Sequence, residues 1–303
     1  MKRYFAPILT VLGFFFLLVV IEPMMETVFL APLFTVPELG DNYGLLPISV
    51  AEHFLVSNVI QLLFALGLIY LFRMGKSDYP LQPFFAGPAR ENSRQFLWGT
   101  VGGTVLIAAA AAVPFLSGMA GFEATPFSMR ELCVMLALMM FIALGEEVIF
   151  RGYILQELSE QMDRNLALGI SALIFALAHI ASPNYGWIPL LNLFLAGLLL
   201  GLAYLRFNSI WAAVGLHFSW NFVQGPILGF EVSGKGFSMW LEPEFSSGPG
   251  YISGNIFGLE GTVAAAAVQL AAVVWLYMSL SRAGSNQEAQ NLQPEPMGPT
   301  ILK

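Results

Sequence analysis

Three clusters of polar residues interrupt the apolar stretches in the middle of the chain. They are Glu146-Glu147 with Arg151, His179 four residues after Phe175, and His217 with Asn221. Carboxylates, imidazoles and amides are the groups that move protons and hold charged oxygen atoms in hydrolytic enzymes. Because ionisable side chains within a membrane span cost free energy, they mark functional sites by default. These clusters are therefore the candidates for chemistry.

Helical spacing gives the side chains of each cluster a common face. Residues four apart lie on the same side of a helix, so Glu147 and Arg151 can form an ion pair. The same spacing places His217 and Asn221 on one face, where both can donate hydrogen bonds to a single oxygen atom. Glu146 is rotated by about 100° from Glu147, so it can face a cavity while its neighbour is held elsewhere. We expect the Glu147–Arg151 pair to fix this helix and to orient Glu146.

From these parts the sequence predicts a hydrolytic site. We expect Glu146 to act as the general base that takes a proton from a water molecule, which His179 also holds. His217 and Asn221 would donate hydrogen bonds to the oxyanion that forms when the water attacks a carbonyl group. The predicted catalytic residues, with no cofactor and no metal ion, are Glu146, Glu147, Arg151, His179, His217 and Asn221.

Other interpretations of the same residues stay open. An ion pair such as Glu147–Arg151 is more often structural than catalytic, and a histidine in a membrane helix often only bonds a neighbouring helix. Two carboxylates and two imidazoles could also bind zinc. However, the chain has no His-Glu-x-x-His signature, and adjacent Glu146 and Glu147 point in different directions. The joint occurrence of all these groups on apolar stretches favours a functional site.

The composition places these clusters in a membrane protein. Hydrophobic residues make up 57% of the 303 residues and charged residues only 11%, whereas a soluble domain carries about 25% charged residues. A spanning helix needs about 20 mainly apolar residues. Such windows lie at 4–21, 54–72, 96–117, 131–155, 166–181, 188–205, 208–229 and 262–280. The predicted fold is an all-α, polytopic transmembrane helix bundle with about eight spans.

The lysine and arginine residues predict the orientation of the bundle, because cytoplasmic loops carry an excess of them. If the N-terminus is cytoplasmic, ten fall on the cytoplasmic side and only Arg130 and Lys235 on the other, and both termini are then cytoplasmic. The long acidic loops 22–53 and 230–261 lie on the outer side. We expect a multi-pass integral membrane protein, in the plasma (inner) membrane if it is prokaryotic.

The chain is predicted to form one membrane-embedded domain. It spans residues 1–280, with a motif-bearing core at about 130–225, and residues 281–303 form a polar tail that we expect to be disordered. No basic cluster suggests nucleic acid as a partner, and the single cysteine, Cys133, excludes an intrachain disulfide. The expected partners are the lipid bilayer and a membrane-associated peptide or protein substrate.

At the three clusters the sequence resembles the CPBP family of intramembrane proteases, which includes the CAAX prenyl endopeptidase (Rce1-like) and the Abi or bacteriocin-processing proteins. The family pattern is Glu-Glu-x-x-x-Arg, then Phe-x-x-x-His, then His-x-x-x-Asn. All three motifs occur here in that order, at Glu146 to Arg151, Phe175 to His179 and His217 to Asn221. The resemblance spans about residues 130–225, a third of the chain.

The resemblance implies an α-helical membrane endopeptidase with its site in a cavity open to one side. It implies that Glu146 and His179 activate the water, that His217 and Asn221 form the oxyanion hole, and that no metal takes part. The substrate would be a membrane-associated or lipid-modified peptide.

Two non-proteolytic functions remain as alternatives. One is a non-catalytic membrane scaffold or bacteriocin-immunity protein that binds a peptide in the same cavity. The weaker one is a transporter, since intramembrane Glu, Arg and His also serve proton relays, although no paired broken-helix pattern supports it.

Overall fold

The computed structural model describes residues 2–25, 33–36, 46–74, 76, 87–126, 128–237, 240–246, 248–255 and 257–291. Within these residues the protein is mostly helical. Its helices and strands are, in chain order, α1 (Lys2–Met25), β1 (Phe34–Thr35), β2 (Leu46–Pro47), α2 (Val50–Arg73), α3 (Ala89–Leu116), β3 (Ala120–Ala124), α4 (Met129–Glu147), α5 (Gln156–Ser159), α6 (Arg164–Ala178), α7 (Trp187–Phe207), α8 (Trp211–Phe222), β4 (Leu241–Phe245), α9 (Gly250–Ser253) and α10 (Val263–Asn291). Two π-helical segments (Val148–Leu155 and Val223–Ile227) and a 3₁₀ turn (Leu259–Gly261) complete the set.

Helices dominate because lipid offers no hydrogen bonds, so that every backbone polar group must be satisfied within the segment itself. Among the described residues, five helices are long and apolar enough to cross a membrane. They are Val50–Arg73, Ala89–Leu116, Met129–Ser159, Trp187–Phe207 and Val263–Arg282. Two shorter apolar helices are Ala6–Ile21 and Arg164–Ala178. The prediction of a mostly helical membrane protein with several spans is confirmed, but two short strand pairs mean that the fold is not all-α. The number of eight spans and the side of the termini stay predictions.

Small residues let two pairs of helices pack backbone against backbone. A Cβ atom built on Gly99 of α3 would lie 2.0 Å from the carbonyl oxygen of Ala212, and one on Gly215 of α8 would lie 2.1 Å from that of Phe96. These contacts align α3 and α8 in parallel. In the same way Gly197 of α7 packs directly on α6. Close approach through small residues is a usual source of stability between membrane helices.

The centre of the bundle is the long helix that runs from Met129 to Ser159, through α4, the first π-helical segment and α5. Its π-helical segment is buried on all sides. The ring of Phe14 on α1 packs against the ring of Tyr153 with centroids 4.2 Å apart. Leu155 and Leu158, one turn further on, are fully buried. This helix therefore carries the first polar cluster through the apolar core.

The two ends of the bundle differ in charge. At one end Arg73 pairs with Glu160 at 2.7 Å, and Lys76 pairs with Glu157. We call this the arginine-rich end; its described cations are Arg73, Lys76, Arg90, Arg94, Arg164, Arg206 and Arg282. The other end, the sheet end, holds the antiparallel pair β3–β4, the Arg130–Glu52 ion pair at 2.6 Å, and Lys235.

Two predicted segments lie partly outside the described residues. Helix α10 continues to Asn291, so the predicted disordered tail at 281–303 begins as helix, and residues 292–303 are not described. Of the predicted outer loop 22–53, residues 26–32 and 37–45 are also outside. The described part of that loop includes the short parallel pair β1–β2, with Phe34 opposite Leu46.

Candidate active site

The first polar cluster lies where the central helix changes its winding. Glu146 and Glu147 end α4, and Arg151 belongs to the π-helical segment that follows. Single π-helical turns within α-helices are rare and occur frequently at functional sites. The wider turn does not separate Glu147 from Arg151. Atom Nη1 of Arg151 lies 2.8 Å from Oε1 of Glu147, four residues earlier in the chain.

Glu147 and Arg151 form the predicted ion pair, and it is buried. Glu147 is 0% exposed and Arg151 1%. The second guanidinium nitrogen, Nη2, donates to the carbonyl oxygen of Gly197 at 3.1 Å, and the guanidinium carbon lies 4.7 Å from the centre of the Phe175 ring. Because buried charges are costly unless they are paired and hydrogen-bonded, these contacts explain how both groups are kept inside the bundle.

Glu147 also joins the first cluster to the third. Its Oε1 atom accepts a hydrogen bond from Nδ1 of His217 at 2.9 Å. The carboxylate can only accept, so Nδ1 carries the proton, and Nε2 of the same ring is directed at Glu146, with Oε2 3.9 Å away. The sequence predicted that the Glu147–Arg151 pair fixes the helix and orients Glu146, and this stays a prediction. The hydrogen bond from His217 to the same carboxylate was not predicted.

His179 is the first residue beyond the last turn of α6. Its Nδ1 atom bonds the carbonyl oxygen of Phe175 at 2.9 Å, while its backbone N–H bonds the carbonyl of Ala176. A carbonyl oxygen only accepts, so Nδ1 carries the proton here too. In the neutral ring Nε2 is then the basic nitrogen. The ring itself is half-buried beside Phe175, with centroids 5.1 Å apart.

These clusters meet at a cavity of about 510 Å³, which is lined by Glu146, His179, His217 and Asn221. Glu147 and Arg151 lie behind its wall. Atom Oε2 of Glu146 is buried and makes no hydrogen bond to a described residue. The Asn221 side chain is 4% exposed, and no hydrogen bond joins its amide to the described part of the chain. The four residues predicted to touch water or substrate thus face one space.

A second carboxylate that lines the cavity was not predicted. Glu260, in the 3₁₀ turn before α10, lines the same space. Its Oε2 atom accepts from the backbone N–H of Ser233 at 2.7 Å and from the Ser233 hydroxyl at 3.1 Å. Burial raises the pKa of the Glu260 carboxyl above its ordinary value, and the two hydrogen bonds from Ser233 offset only part of this rise. The only sign of Glu260 in the sequence was that an acidic residue stands two positions before the last apolar window, 262–280. The loop that contains it carries no recognised motif.

Asn192 holds that turn in place. Its side-chain nitrogen donates to the carbonyl oxygen of Glu260 at 2.7 Å and to that of Thr262 at 2.9 Å. Gln269 in turn donates to its side-chain oxygen at 3.4 Å. Asn192 is fully buried and also lines the cavity. Its contacts are therefore those of a residue that packs α7 against the start of α10.

Within the described residues, no group of three or more His, Cys, Asp or Glu side chains is placed so that it could hold a metal ion.

Comparison with known proteins identifies the segment that carries the three motifs. Residues 128–223 match the family model of the type II CAAX prenyl endopeptidase Rce1-like proteins, which are proteases. The match includes Glu146, Arg151, His179, His217 and Asn221 and covers about a third of the chain. No curated protein matches the chain, and no solved structure does. The predicted resemblance to the CPBP family is confirmed: this is a multi-pass integral membrane protein, and residues 128–223 are similar to the Rce1-like proteins of that family.

Proposed function

We propose that this protein is an intramembrane endopeptidase of the glutamic type, which hydrolyses a peptide bond of a membrane-associated or lipid-modified substrate. One observation carries the proposal. The carboxylate of Glu146, with an oxygen that bonds no described residue, shares a cavity with the basic nitrogen of His179. A carboxylate and an imidazole that face one water molecule are the parts of a general-base site.

In the proposed reaction Glu146 takes one proton from the water, and Nε2 of His179 accepts a hydrogen bond from the other. The water oxygen bonds to the carbonyl carbon, and the carbonyl oxygen becomes the oxyanion. When the C–N bond breaks, the proton held by Glu146 passes to the leaving amine. Water is thus divided between the two products, and the enzyme returns to its initial state.

His217 and Asn221 are proposed to stabilise the oxyanion. The Asn221 amide can donate directly. Because Nδ1 of His217 donates to Glu147, its Nε2 atom can donate only when the ring is doubly protonated. The charge of that imidazolium would be balanced by Glu147, which Arg151 holds in position. Glu147 and Arg151 therefore act through His217 in this proposal and do not touch the substrate.

The proposal includes the arrangement in the membrane. The eight apolar windows are each helical in the structure, which supports eight crossings of one membrane-embedded domain at 1–280. The site residues all belong to the proposed core at about 130–225. The cations gathered at one end support a cytoplasmic location for that end and for both termini. The partners are lipid and a peptide substrate, without nucleic acid, metal or other cofactor.

The test is cleavage by the purified protein in reconstituted vesicles. A library of membrane-inserted peptides is incubated with wild type, with Glu146→Gln and with His179→Ala, and products are detected by mass spectrometry. We expect Glu146→Gln to lose about 10²–10⁴-fold in rate, the usual contribution of a general base. Glu131→Gln is the matched control, because this exposed glutamate lies on the same helix outside the cavity.

Two outcomes would contradict the proposal. Full activity of Glu146→Gln or of His179→Ala would remove the water-activating pair. If the wild type captures peptides but releases no product from any of them, and Glu146→Gln binds them equally well, the protein is the non-catalytic scaffold or immunity protein.

A further inference from the structure

The cavity extends from the sheet end to about the middle of the bundle. Helix α2 lines it with Phe54 and Gln61 from its first half, and α8 with residues from Leu216 onward. Helix α6, which begins at the arginine-rich end, reaches it only with its last turn. Helix α2 begins at the sheet end, whereas α6 and α8 run towards it. The parts of all three helices that line the cavity therefore lie towards the sheet end.

The connections at the sheet end border the cavity as well. It is lined there by residues 181–183, Val232, Ser233, Lys235 and Glu260. These segments join α6 to α7 and α8 to α10 on the side of β3 and β4. Lys235 is exposed, and its ammonium group lies 5.5 Å from the centre of the Phe54 ring. It is the only lysine or arginine among the described residues that line the space.

Packed side chains close the cavity in the opposite direction. Behind its floor lies the buried Glu147–Arg151 pair, whose guanidinium is bonded to the backbone of α7. Beyond the floor lie the fully buried Tyr153, Leu155 and Leu158, and only then the ion pairs of the arginine-rich end. Dense packing of this kind leaves no room for a peptide. The cavity therefore opens at the sheet end.

Charge assigns a side of the membrane to each end. Seven lysines and arginines whose side chains are described lie at the arginine-rich end, against Arg130 and Lys235 at the sheet end. Loops on the cytoplasmic side carry the excess of such residues. The sheet end, with the mouth of the cavity, then faces away from the cytoplasm.

We propose that the substrate enters from the non-cytoplasmic side and is a peptide segment exposed at that face of the membrane. A C-terminally prenylated protein held at the cytoplasmic face could not reach this mouth. The inference on the substrate rests on the proposed proteolytic function, whereas the inference on the side of the mouth does not.

The side of the mouth is tested with two cysteine variants at opposite ends of α6. The native Cys133, which is exposed, is first replaced by serine. Ala181→Cys then places a thiol at the rim of the cavity, and Asn165→Cys places one at the arginine-rich end; both native residues are exposed and uncharged. Intact bacterial cells that express each variant are treated with a membrane-impermeant maleimide, before and after permeabilisation.

We expect the maleimide to label Ala181→Cys in intact cells and Asn165→Cys only after permeabilisation. Labelling of Asn165→Cys in intact cells, alone or together with Ala181→Cys, would overturn the inference.

The substrate is tested in vesicles of known orientation. A quenched peptide library with a charged tag that cannot cross the bilayer is added to right-side-out and to inverted vesicles, and Glu146→Gln is the blank. We expect cleavage only in right-side-out vesicles. Cleavage only in inverted vesicles would overturn the inference while the proteolytic function stands. If neither vesicle preparation cleaves the library while the maleimide labels Ala181→Cys in intact cells, the result counts against the proteolytic function. It does not count against the orientation of the mouth.

Discussion

His217 donates a hydrogen bond from Nδ1 to the carboxylate of Glu147 over 2.9 Å, although 70 residues separate the two in the chain. The same carboxylate oxygen accepts from Arg151 at 2.8 Å. Three buried ionisable groups are thus joined through one oxygen atom, between the helix of the first motif and the helix of the third. Breaking such a group of contacts leaves an uncompensated charge inside the bundle.

We predict that Glu147→Gln and His217→Gln each destabilise the protein and that their effects are coupled. Removal of one partner of a buried pair costs about 3–5 kcal/mol, and residues in direct contact show coupling of about 0.5–3 kcal/mol. Unfolding in detergent of the wild type, both single variants and the double variant measures this. We expect the double variant to lose less stability than the two single variants together. Strict additivity would mean that the hydrogen bond contributes no coupling energy.

We predict that Asn221→Ala lowers kcat by about 10²–10³-fold, the usual loss for one oxyanion donor, without lowering the melting temperature. The Asn221 amide makes no hydrogen bond to the described residues, so its removal breaks none of them. Asn192→Ala is the contrasting variant, because Asn192 bonds the carbonyls of Glu260 and Thr262. It should lose stability. A fall in melting temperature for Asn221→Ala with kcat unchanged would assign Asn221 to packing.

We predict that Gly99→Ala destabilises the bundle by about 1–3 kcal/mol, the usual cost of overpacking. The added methyl group would lie 2.0 Å from the carbonyl oxygen of Ala212 and push α8, which carries His217, away from α3. Gly102→Ala on the same helix meets nothing within 4 Å. It should be neutral or stabilise by up to about 1 kcal/mol, since alanine favours helix. Equal effects in thermal unfolding would contradict the observed contact.

We predict that Glu260 makes the stability of the protein depend on pH. Burial raises its pKa above the ordinary value of 4.5. A carboxyl whose pKa is higher in the folded state than in the unfolded state stabilises the folded state at pH below about 4.5. This contribution is lost as the pH rises through the pKa of the folded state.

The melting temperature of the wild type should therefore fall relative to that of Glu260→Gln as pH increases from 4.5. Glu242→Gln, which alters an exposed carboxylate of β4, should follow the wild type. A pH profile of Glu260→Gln parallel to the wild type would contradict this assignment.

Local spacing was enough to predict part of the site. The contact of Glu147 with Arg151 follows from helical periodicity, and the different directions of Glu146 and Glu147 follow from their adjacency. Each of the eight apolar windows is helical, because a long apolar stretch in lipid has only this way to satisfy its backbone. The side chains that line the cavity from three helices were recognised from motifs, not from geometry.

Contacts between distant segments were not predictable in this way. The bond from His217 to Glu147 depends on how α4 and α8 cross, and that depends on the glycine contacts between α3 and α8. Glu260 belongs to a turn whose position is set by Asn192, 68 residues earlier in the chain. The polarity of residues 281–303 predicted a disordered tail, whereas α10 continues to Asn291 in the structure.

The end of α6 at Ala178 has a consequence for the chemistry of the next residue. In a continuing helix the N–H of residue 179 would bond the carbonyl of Phe175. Here it bonds Ala176 instead, and the Phe175 carbonyl accepts from the imidazole. The tautomer of His179 is therefore chosen by the place where a helix stops. A substitution that lengthened α6 by one residue would give the Phe175 carbonyl a second donor, and this would weaken the bond that fixes the tautomer of His179.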